Sequence, residues 1–229
     1  MGMRTNNYCN NDLINNLNQM IISCTKCSRL VQYREYIARK KIKRFKDWDY
    51  WSKPVPGFGD INARLLIIGL APAAHGANRT GRMFTGDSSG SWLIRALYDI
   101  GLANRPTSIS IDDGLVLRDV YITAVLRCVP PRNKPLMQEI YNCIGYLNEE
   151  LSLLKNVKVI LTLGRIAFYT YVKMIDIDLE FKHGKLYELD NGIILVASYH
   201  PSRQNTQTRR LTWDSWISIF KKIEEILNK

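Results

Sequence analysis

The sequence has no long hydrophobic run. Its longest apolar stretch, residues 65–74, is already interrupted by a glycine and a proline, whereas a membrane-spanning helix needs about 18 or more consecutive apolar residues. Residues 1–11 are polar and lack the apolar central region of a signal peptide. The sequence therefore predicts no membrane span and a cytoplasmic protein.

Acidic residues and histidine are scarce. The 229 residues include 21 Asp and Glu and three His, against 32 Lys and Arg, which leaves a formal charge of +11. A hydrophobic content of 46% excludes a disordered chain, and the length suits one large domain. In the cytoplasm the commonest partner of so basic a protein is nucleic acid, which predicts association with the nucleoid.

The positive charge is concentrated in residues 29–47, which hold eight Arg and Lys against Glu35 and Asp47. Aromatic residues from Tyr33 to Trp51 are interleaved with these charges. Such a pattern suits stacking on bases, but it also suits a solvated helix that packs its aromatic residues on a core. By itself the segment suggests nucleic-acid binding without establishing it.

Helical and strand patterns alternate along the rest of the chain. The predicted strands are 64–70, 119–126, 157–163, 185–190 and 193–198, and the predicted helices are 12–22, 30–45, 91–100, 136–154, 165–174 and 211–227. The alternation indicates an α/β protein with three layers, in which helices flank a mainly parallel central sheet. Ligands of such folds bind beyond the carboxyl ends of the strands.

Five cysteines remain to be explained. Structural disulfides are unusual in the cytoplasm, so the C-x2-C pair Cys24 and Cys27 indicates a redox or metal site. Cys128 and Cys143 follow a predicted strand closely enough to supply two further thiolates. Four thiolates suit either zinc or a 4Fe–4S cluster, and the spacing leaves both open. Cys9 lies in a polar segment and is predicted to take no part.

Three segments fall where the site of such a fold is expected. The first is a glycine-rich loop, GLAPAAHGANRTGRMFTGDSSG, at residues 69–90. The second is CVPPRNKP at residues 128–135, and the third is HPSRQNT at residues 200–206. The first loop has neither dinucleotide nor P-loop spacing, so it is weak evidence on its own.

Together these segments resemble the uracil-DNA glycosylase superfamily, specifically its iron-sulfur family 5 (type B). GLAPAAHG with GRMFTGD is similar to the first motif of that family, and HPSRQN is similar to the last. The cysteine spacing is similar to that of the cluster ligands in families 4 and 5. The resemblance covers residues 24–212 and implies a central four-stranded parallel sheet, a 4Fe–4S cluster and excision of uracil from DNA.

The resemblance assigns a role to individual residues. The cluster ligands would be Cys24, Cys27, Cys128 and Cys143. His200 would hydrogen-bond the uracil carbonyl as negative charge develops, and Phe84 would stack on the flipped base. The remaining substrate contacts would be Gly69, Ala71, Ala73, Asn133 and Asn205. The DNA contacts would be Arg79, Arg82, Arg203, Gln204 and Arg209, with Arg210 as a further phosphate contact.

The sequence also departs from other branches of the superfamily. Those branches place Asp, Asn or Glu in the first motif, whereas GLAPA has no such residue, so Asp87 is the nearest candidate to orient water. A helix N-cap is the alternative interpretation of Asp87. Family 4 has an Asn where this chain has Ala124, which predicts a broader pocket that accepts hypoxanthine as well as uracil.

The expected protein is a monomeric, monofunctional glycosylase of one domain, residues 1–229. Its basic helical N-terminal segment, about 10–50, would be tied in by the cluster. Two other functions stay open at this point. One is a non-catalytic nucleic-acid-binding protein on the same fold, favoured by the charge and the missing carboxylate. The other is an iron-sulfur oxidoreductase that uses the glycine-rich loop for a nucleotide cofactor.

Overall fold

The computed structural model describes residues 3–229, with side chains described from Asn10 onward. The helices are α1 (Met3–Ile22), α2 (Ser28–Lys40), α3 (Ala77–Thr80), α4 (Ser88–Asp99), α5 (Met137–Leu153), α6 (Arg165–Met174), α7 (Arg203–Gln207) and α8 (Trp213–Leu227). The strands are β1 (Phe58–Gly59), β2 (Leu65–Gly69), β3 (Val120–Ala124), β4 (Val159–Leu163), β5 (Leu186–Glu188) and β6 (Ile194–Ser198).

The strands form one sheet in the order β1-β3-β2-β4-β6-β5. The four inner strands run parallel, and the short edge strands β1 and β5 pair antiparallel with their neighbours. Every residue of β2, β3 and β4 is buried, as expected for parallel strands covered on both faces. The predicted four-stranded parallel sheet is confirmed, with one antiparallel strand added at each edge.

Alternate residues of the strands support two separate cores. Leu65 and Ile67 face a core that includes apolar residues of α4 and α8, such as Trp216. Leu66 and Ile68 face the opposite core, which is built with α1, α5 and α6. The period of two along each strand thus divides the helices into two layers, and the predicted three-layer α/β architecture is confirmed.

Several predicted boundaries were wrong for local reasons. The basic helix ends at Lys40 and not at residue 45, because Lys41 takes a positive φ of 47° before a short 3-10 turn at Lys43–Phe45. Helix α4 begins at Ser88 because the Asp87 side chain accepts a hydrogen bond from the Gly90 amide and caps it. The pattern did not predict the short elements β1, α3 and α7.

No helix in residues 3–229 is long and apolar enough to cross a membrane.

A buried ion pair lies beneath the carboxyl end of β3. Arg127 donates from Nη2 to Glu150 at 2.6 Å, and Thr123 donates to the same carboxylate oxygen at 2.6 Å. The side chains of Arg127 and Glu150 are 1% and 0% exposed. The pair connects the end of β3 to α5. Arg127 immediately precedes Cys128 in the chain.

Glu150→Gln should lower the free energy of unfolding by about 3–5 kcal/mol, because it leaves the Arg127 charge buried without a counter-charge. The neighbouring exposed residue provides a matched control, since Glu149→Gln should change stability by less than about 0.5 kcal/mol. Urea denaturation of both variants measures the difference. Equal stability of the two variants would show that the buried pair is not a stabilising contact.

Candidate active site

A pocket lies beyond the carboxyl ends of β2 and β6. It is lined by Ala71, Ala73, Ala77, Met83, Phe84, Asp87, Ser89 and His200. Five of these residues were predicted from the sequence as catalytic or substrate-binding. The glycine-rich loop that follows β2 supplies most of the lining, and His200 enters from the end of β6. The pocket therefore occupies the position in which α/β proteins bind ligands.

Phe84 and His200 form a stacked pair in this pocket. Their ring centroids are 5.8 Å apart with an interplanar angle of 29°. The Phe84 ring lies against the end of β2 where Gly69 has no side chain, since a Cβ there would be 2.9 Å from the ring. Phe84 has a positive φ of 50°, a strained conformation for an aromatic residue. The close approach of strand and ring thus requires glycine at residue 69.

His200 is held with its imidazole in a desolvated environment. Burial lowers its pKa to about 4, so the ring is neutral at physiological pH. The Asn205 amide donates to the His200 carbonyl oxygen at 2.8 Å, and the Ser202 backbone N–H donates to the same oxygen at 2.8 Å. A neutral imidazole has one N–H to donate. The two hydrogen bonds to the carbonyl oxygen fix the backbone that carries the His200 side chain.

Asp87 has two functions in the local structure. Its Oδ1 accepts the Gly90 amide at 2.8 Å and caps α4, which confirms the N-cap interpretation. The same residue lines the pocket beside His200. Burial raises the pKa of Asp87, and the amides of Gly90 and Ser89 and the charges of Arg79 and Arg203 oppose that rise.

Two of the predicted DNA contacts are buried in the protein. Arg82 is 6% exposed and forms an ion pair with Asp113 at 2.8 Å. Arg79 is 3% exposed and donates to the carbonyl oxygens of His75 and Gly86. A guanidinium enclosed in this way offers little surface to a phosphate, which argues against the predicted DNA contacts of these two arginines. Charge and a loop position alone did not reveal their internal partners.

The other predicted site residues are distributed more widely. Arg203, Gln204 and Arg209 are exposed on or beside α7, directly after the HPS segment. Asn205 reaches back to the His200 carbonyl and does not line the pocket. Asn133 is exposed at the tip of the β3–α5 loop with a φ of 56°, and it too is absent from the pocket lining.

Sequence reasoning missed part of the lining and its support. Met83 and Ser89 line the pocket, and both lie within the glycine-rich segment that was already singled out. The Tyr50 hydroxyl lies 3.0 Å from His75 Nδ1, which ties the basic N-terminal segment to the loop. The interleaved aromatic residues of that segment were a signal for this contact, although they did not reveal its partner.

A second cavity brings together Cys24, Cys27, Cys128 and Cys143. Two of these cysteines precede α2, one follows β3 and one lies in α5, so the cavity connects the N-terminal segment to the domain. All four are free thiols. The side chain of Cys9 lies outside the described residues.

Hydrogen-bond donors surround these sulfur atoms. Arg34 Nη1 lies 3.0 Å from the sulfur of Cys128, and Asn142 Nδ2 lies 3.3 Å from that of Cys27. The Arg127 amide lies 3.4 Å from the sulfur of Cys143. Burial raises the pKa of Cys128 to about 11 and that of Cys143 to about 12, so both are neutral as free thiols.

Within residues 3–229, no three His, Cys, Asp or Glu side chains converge on one metal-ion position. In a 4Fe–4S cluster each thiolate binds a different iron, so the sulfur atoms surround a larger volume. Four cysteines around one cavity, with donors directed at three of them, fit this larger group.

Comparisons with known proteins agree with this geometry. The sequence profile of the Uracil DNA glycosylase superfamily matches residues 56–224. Type-5 uracil-DNA glycosylase of Pyrobaculum aerophilum is 43% identical over 212 residues, covering 92% of this chain and 90% of that protein. The Thermus thermophilus type-5 enzyme is 45% identical over 211 residues, covering 91% and 95%.

A more distant relative is the type-4 uracil-DNA glycosylase of Archaeoglobus fulgidus, which is 31% identical over 182 residues, covering 76% of this chain and 82% of that protein. The profile match extends from before β1 into α8 and so includes the pocket and two of the four cysteines. The family-5 resemblance inferred from the motifs is confirmed. The chain belongs to the uracil DNA glycosylase superfamily and, within it, to the type-5 family.

Proposed function

We propose that this protein is a monofunctional DNA repair glycosylase that hydrolyses the N-glycosidic bond of uracil in DNA and leaves an abasic site. The observation that carries the proposal is the pocket at the sheet edge, in which Phe84 stacks on a neutral His200 beside Asp87. The 43–45% identity to proteins named type-5 uracil-DNA glycosylases supports the same conclusion.

Phe84 binds the extruded base. A base must leave the duplex before its glycosidic bond can be reached, and a flat aromatic ring recovers part of the lost stacking energy. The rigid contact of Phe84 with the end of β2 supports this role, because a fixed ring needs no reordering when the base arrives. The backbone of Ala71 and Ala73, with the end of β2 at Gly69, would contact the edge of the uracil.

His200 stabilises the departing base. As the C1′–N1 bond breaks, negative charge develops on the uracil carbonyl oxygen, and a neutral imidazole N–H donates to it. The lowered pKa of His200 supports donation from the neutral ring. The sugar becomes cationic in the same step, and the carboxylate of Asp87 would stabilise that charge or orient the water that attacks C1′.

The exposed residues around α7 bind the DNA. Arg203 and Arg209 carry positive charge on the surface just after the pocket, and Gln204 lies between them in the chain. Contacts with phosphates release counterions, so DNA affinity should fall steeply with salt. Asn205 supports His200 from the same segment. The enzyme would act as a monomer on its DNA substrate.

The four cysteines would hold a 4Fe–4S cluster with a structural role. The cluster thiolates carry negative charge, and the buried Arg34 beside Cys128 supports their presence in the cavity. The bonds from these ligands would tie the basic N-terminal segment, about residues 10–50, to the rest of a single domain.

The pocket would accept more than one deaminated base. Ala124 pairs with Gly69 in the sheet and lies on the same face as Phe84. Type-4 relatives resembling this chain carry an amide at that position, which discriminates between bases, and alanine cannot. Asn133, exposed in the β3–α5 loop, is the candidate for a polar contact with the base.

The principal test is uracil release from a labelled duplex carrying one U·G pair, followed by alkaline cleavage of the abasic strand. His200→Ala should lower the single-turnover rate by about 10²–10³-fold, because it removes a donor to the leaving base. His183→Asn is the matched control, since His183 does not line the pocket and the Asn oxygen can still accept the Tyr199 backbone N–H. DNA binding without base release by the wild type would instead support a non-catalytic binding protein.

Iron and acid-labile sulfide analysis tests the cluster. The purified wild type should contain about four of each per chain, and Cys128→Ala should lose both. Cys9→Ala should retain them, because Cys9 is outside the predicted ligand set. Full iron content in Cys128→Ala would refute the assignment of this cysteine as a ligand.

A panel of duplexes carrying uracil, hypoxanthine or xanthine tests the substrate range. The wild type should release uracil and hypoxanthine, whereas Ala124→Asn should retain uracil release and lose most hypoxanthine release. Thermal unfolding of the variant checks that the buried substitution is tolerated. Release of uracil alone by the wild type would refute the broad pocket.

A further inference from the structure

Arg79 lies at the junction of the glycine-rich loop and the basic N-terminal segment. It belongs to α3 and is 3% exposed. Its guanidinium carbon is 3.9 Å from the centre of the Phe45 ring and 4.1 Å from that of Trp48. The two rings meet at an interplanar angle of 78°, so the cation occupies the corner between them. Such contacts stabilise a desolvated arginine.

The hydrogen bonds of Arg79 join two parts of the pocket loop. Nε donates to the His75 carbonyl at 2.9 Å, and Nη2 donates to the Gly86 carbonyl at 3.1 Å. The residues that follow these carbonyls, Gly76 and Asp87, touch each other, since a Cβ on Gly76 would be 2.0 Å from Asp87 Oδ2. Arg79 therefore bridges the loop at the point where it holds the carboxylate.

The guanidinium is not fully satisfied by the protein. Nη1 is buried and has no hydrogen-bond partner among the described residues. A buried donor without a partner is uncommon in a native structure and calls for an explanation. Packing against the two rings encloses the guanidinium, which is held by these ring contacts and by the hydrogen bonds of Nε and Nη2.

We propose that Arg79 is the positioning residue for Asp87 and does not contact DNA phosphates. The inference rests on the proposed glycosylase function. Arg79 holds the two chain segments against each other through its hydrogen bonds to the His75 and Gly86 carbonyl oxygens, while the rings of Phe45 and Trp48 hold the guanidinium in place. The basic N-terminal segment is thereby part of the catalytic structure, and not only a surface for DNA.

The electrostatics agree with this role. The charged and titratable groups around Asp87 are Arg79 from α3, Arg203 from α7 and the neutral His200 across the pocket. Burial raises the pKa of Asp87, and the positive charge of Arg79 lowers it. Loss of that charge should raise the pKa further, so the ionised carboxylate would form only at higher pH.

Kinetics of Arg79→Gln distinguish a positioning residue from a phosphate contact. We expect kcat to fall at least tenfold, KM and DNA affinity to stay within about twofold, and the acidic limb of the kcat profile to move to higher pH. Arg79→Lys should return the limb towards its wild-type position without restoring kcat fully, because it keeps the charge and loses the paired bonds. A normal kcat with weaker DNA binding and a salt slope reduced by about one would overturn the proposal.

Two arginine controls complete the design. Arg209→Gln, an exposed candidate for DNA binding, should raise KM and reduce the salt slope with little change in kcat. Arg118 is exposed just before β3, at the amino ends of the parallel strands and so on the opposite side of the sheet from the pocket. Arg118→Gln should therefore match the wild type. If Arg79→Gln does not fold, Phe45→Leu removes one ring and should lower kcat without weakening DNA binding. An unchanged kcat in that variant would also overturn the proposal.

An NMR titration separates this inference from the proposed function. The carboxyl carbon of Asp87, assigned by its loss in Asp87→Asn, should titrate at higher pH in Arg79→Gln than in the wild type. This measurement needs no uracil release. An unchanged midpoint would overturn the role of Arg79, whereas a shifted midpoint in a protein that releases no uracil would overturn only the glycosylase function.

Discussion

The close approach of the glycine-rich loop to the end of the parallel sheet is the constraint on which the pocket depends. Gly69 gives the Phe84 ring its position, Gly76 admits the Asp87 carboxylate, and a Cβ on Gly90 would lie 2.1 Å from the Phe84 carbonyl oxygen. At each of these three positions, the Cβ of any other residue would collide with the neighbouring atoms. The aromatic ring and the carboxylate are therefore held against the backbone, which limits their freedom before any ligand arrives.

Burial acts on the two titratable groups of the pocket in opposite directions. It lowers the pKa of His200 and favours the neutral ring, whereas it raises the pKa of Asp87 and opposes ionisation. The carboxylate has helix amides and the charges of Arg79 and Arg203 to offset its burial. The histidine has no comparable counter-charge. A neutral hydrogen-bond donor and a carboxylate offset by nearby cations would suit a dissociative glycosidic cleavage.

The N-terminal segment is connected to the pocket by several independent contacts. Arg34 donates to the sulfur of Cys128, and its carbonyl oxygen accepts a hydrogen bond from Asn78 of α3. Next to Asn78, Arg79 packs between Phe45 and Trp48. The cysteine cavity and the glycine-rich loop therefore meet through α2 and α3. A change at the four cysteines can reach the pocket through these contacts.

The three-layer α/β architecture follows from the amino-acid sequence, because buried parallel strands leave continuous apolar runs and amphipathic helices leave a helical period. The sequence also predicted that Phe84, Asp87 and His200 share one site. The loops that carry these residues follow parallel strands, and the glycine-rich segment can be recognised directly in the sequence. The partners of individual polar groups, by contrast, depend on the packed fold. In the sequence, Arg79 and Arg82 cannot be distinguished from exposed phosphate-binding arginines. In the fold, Phe45 and Trp48 enclose Arg79, and Asp113 pairs with Arg82. Those partners are distant in the chain, and the desolvation that defines a buried charge arises only when the packed layers bring them together.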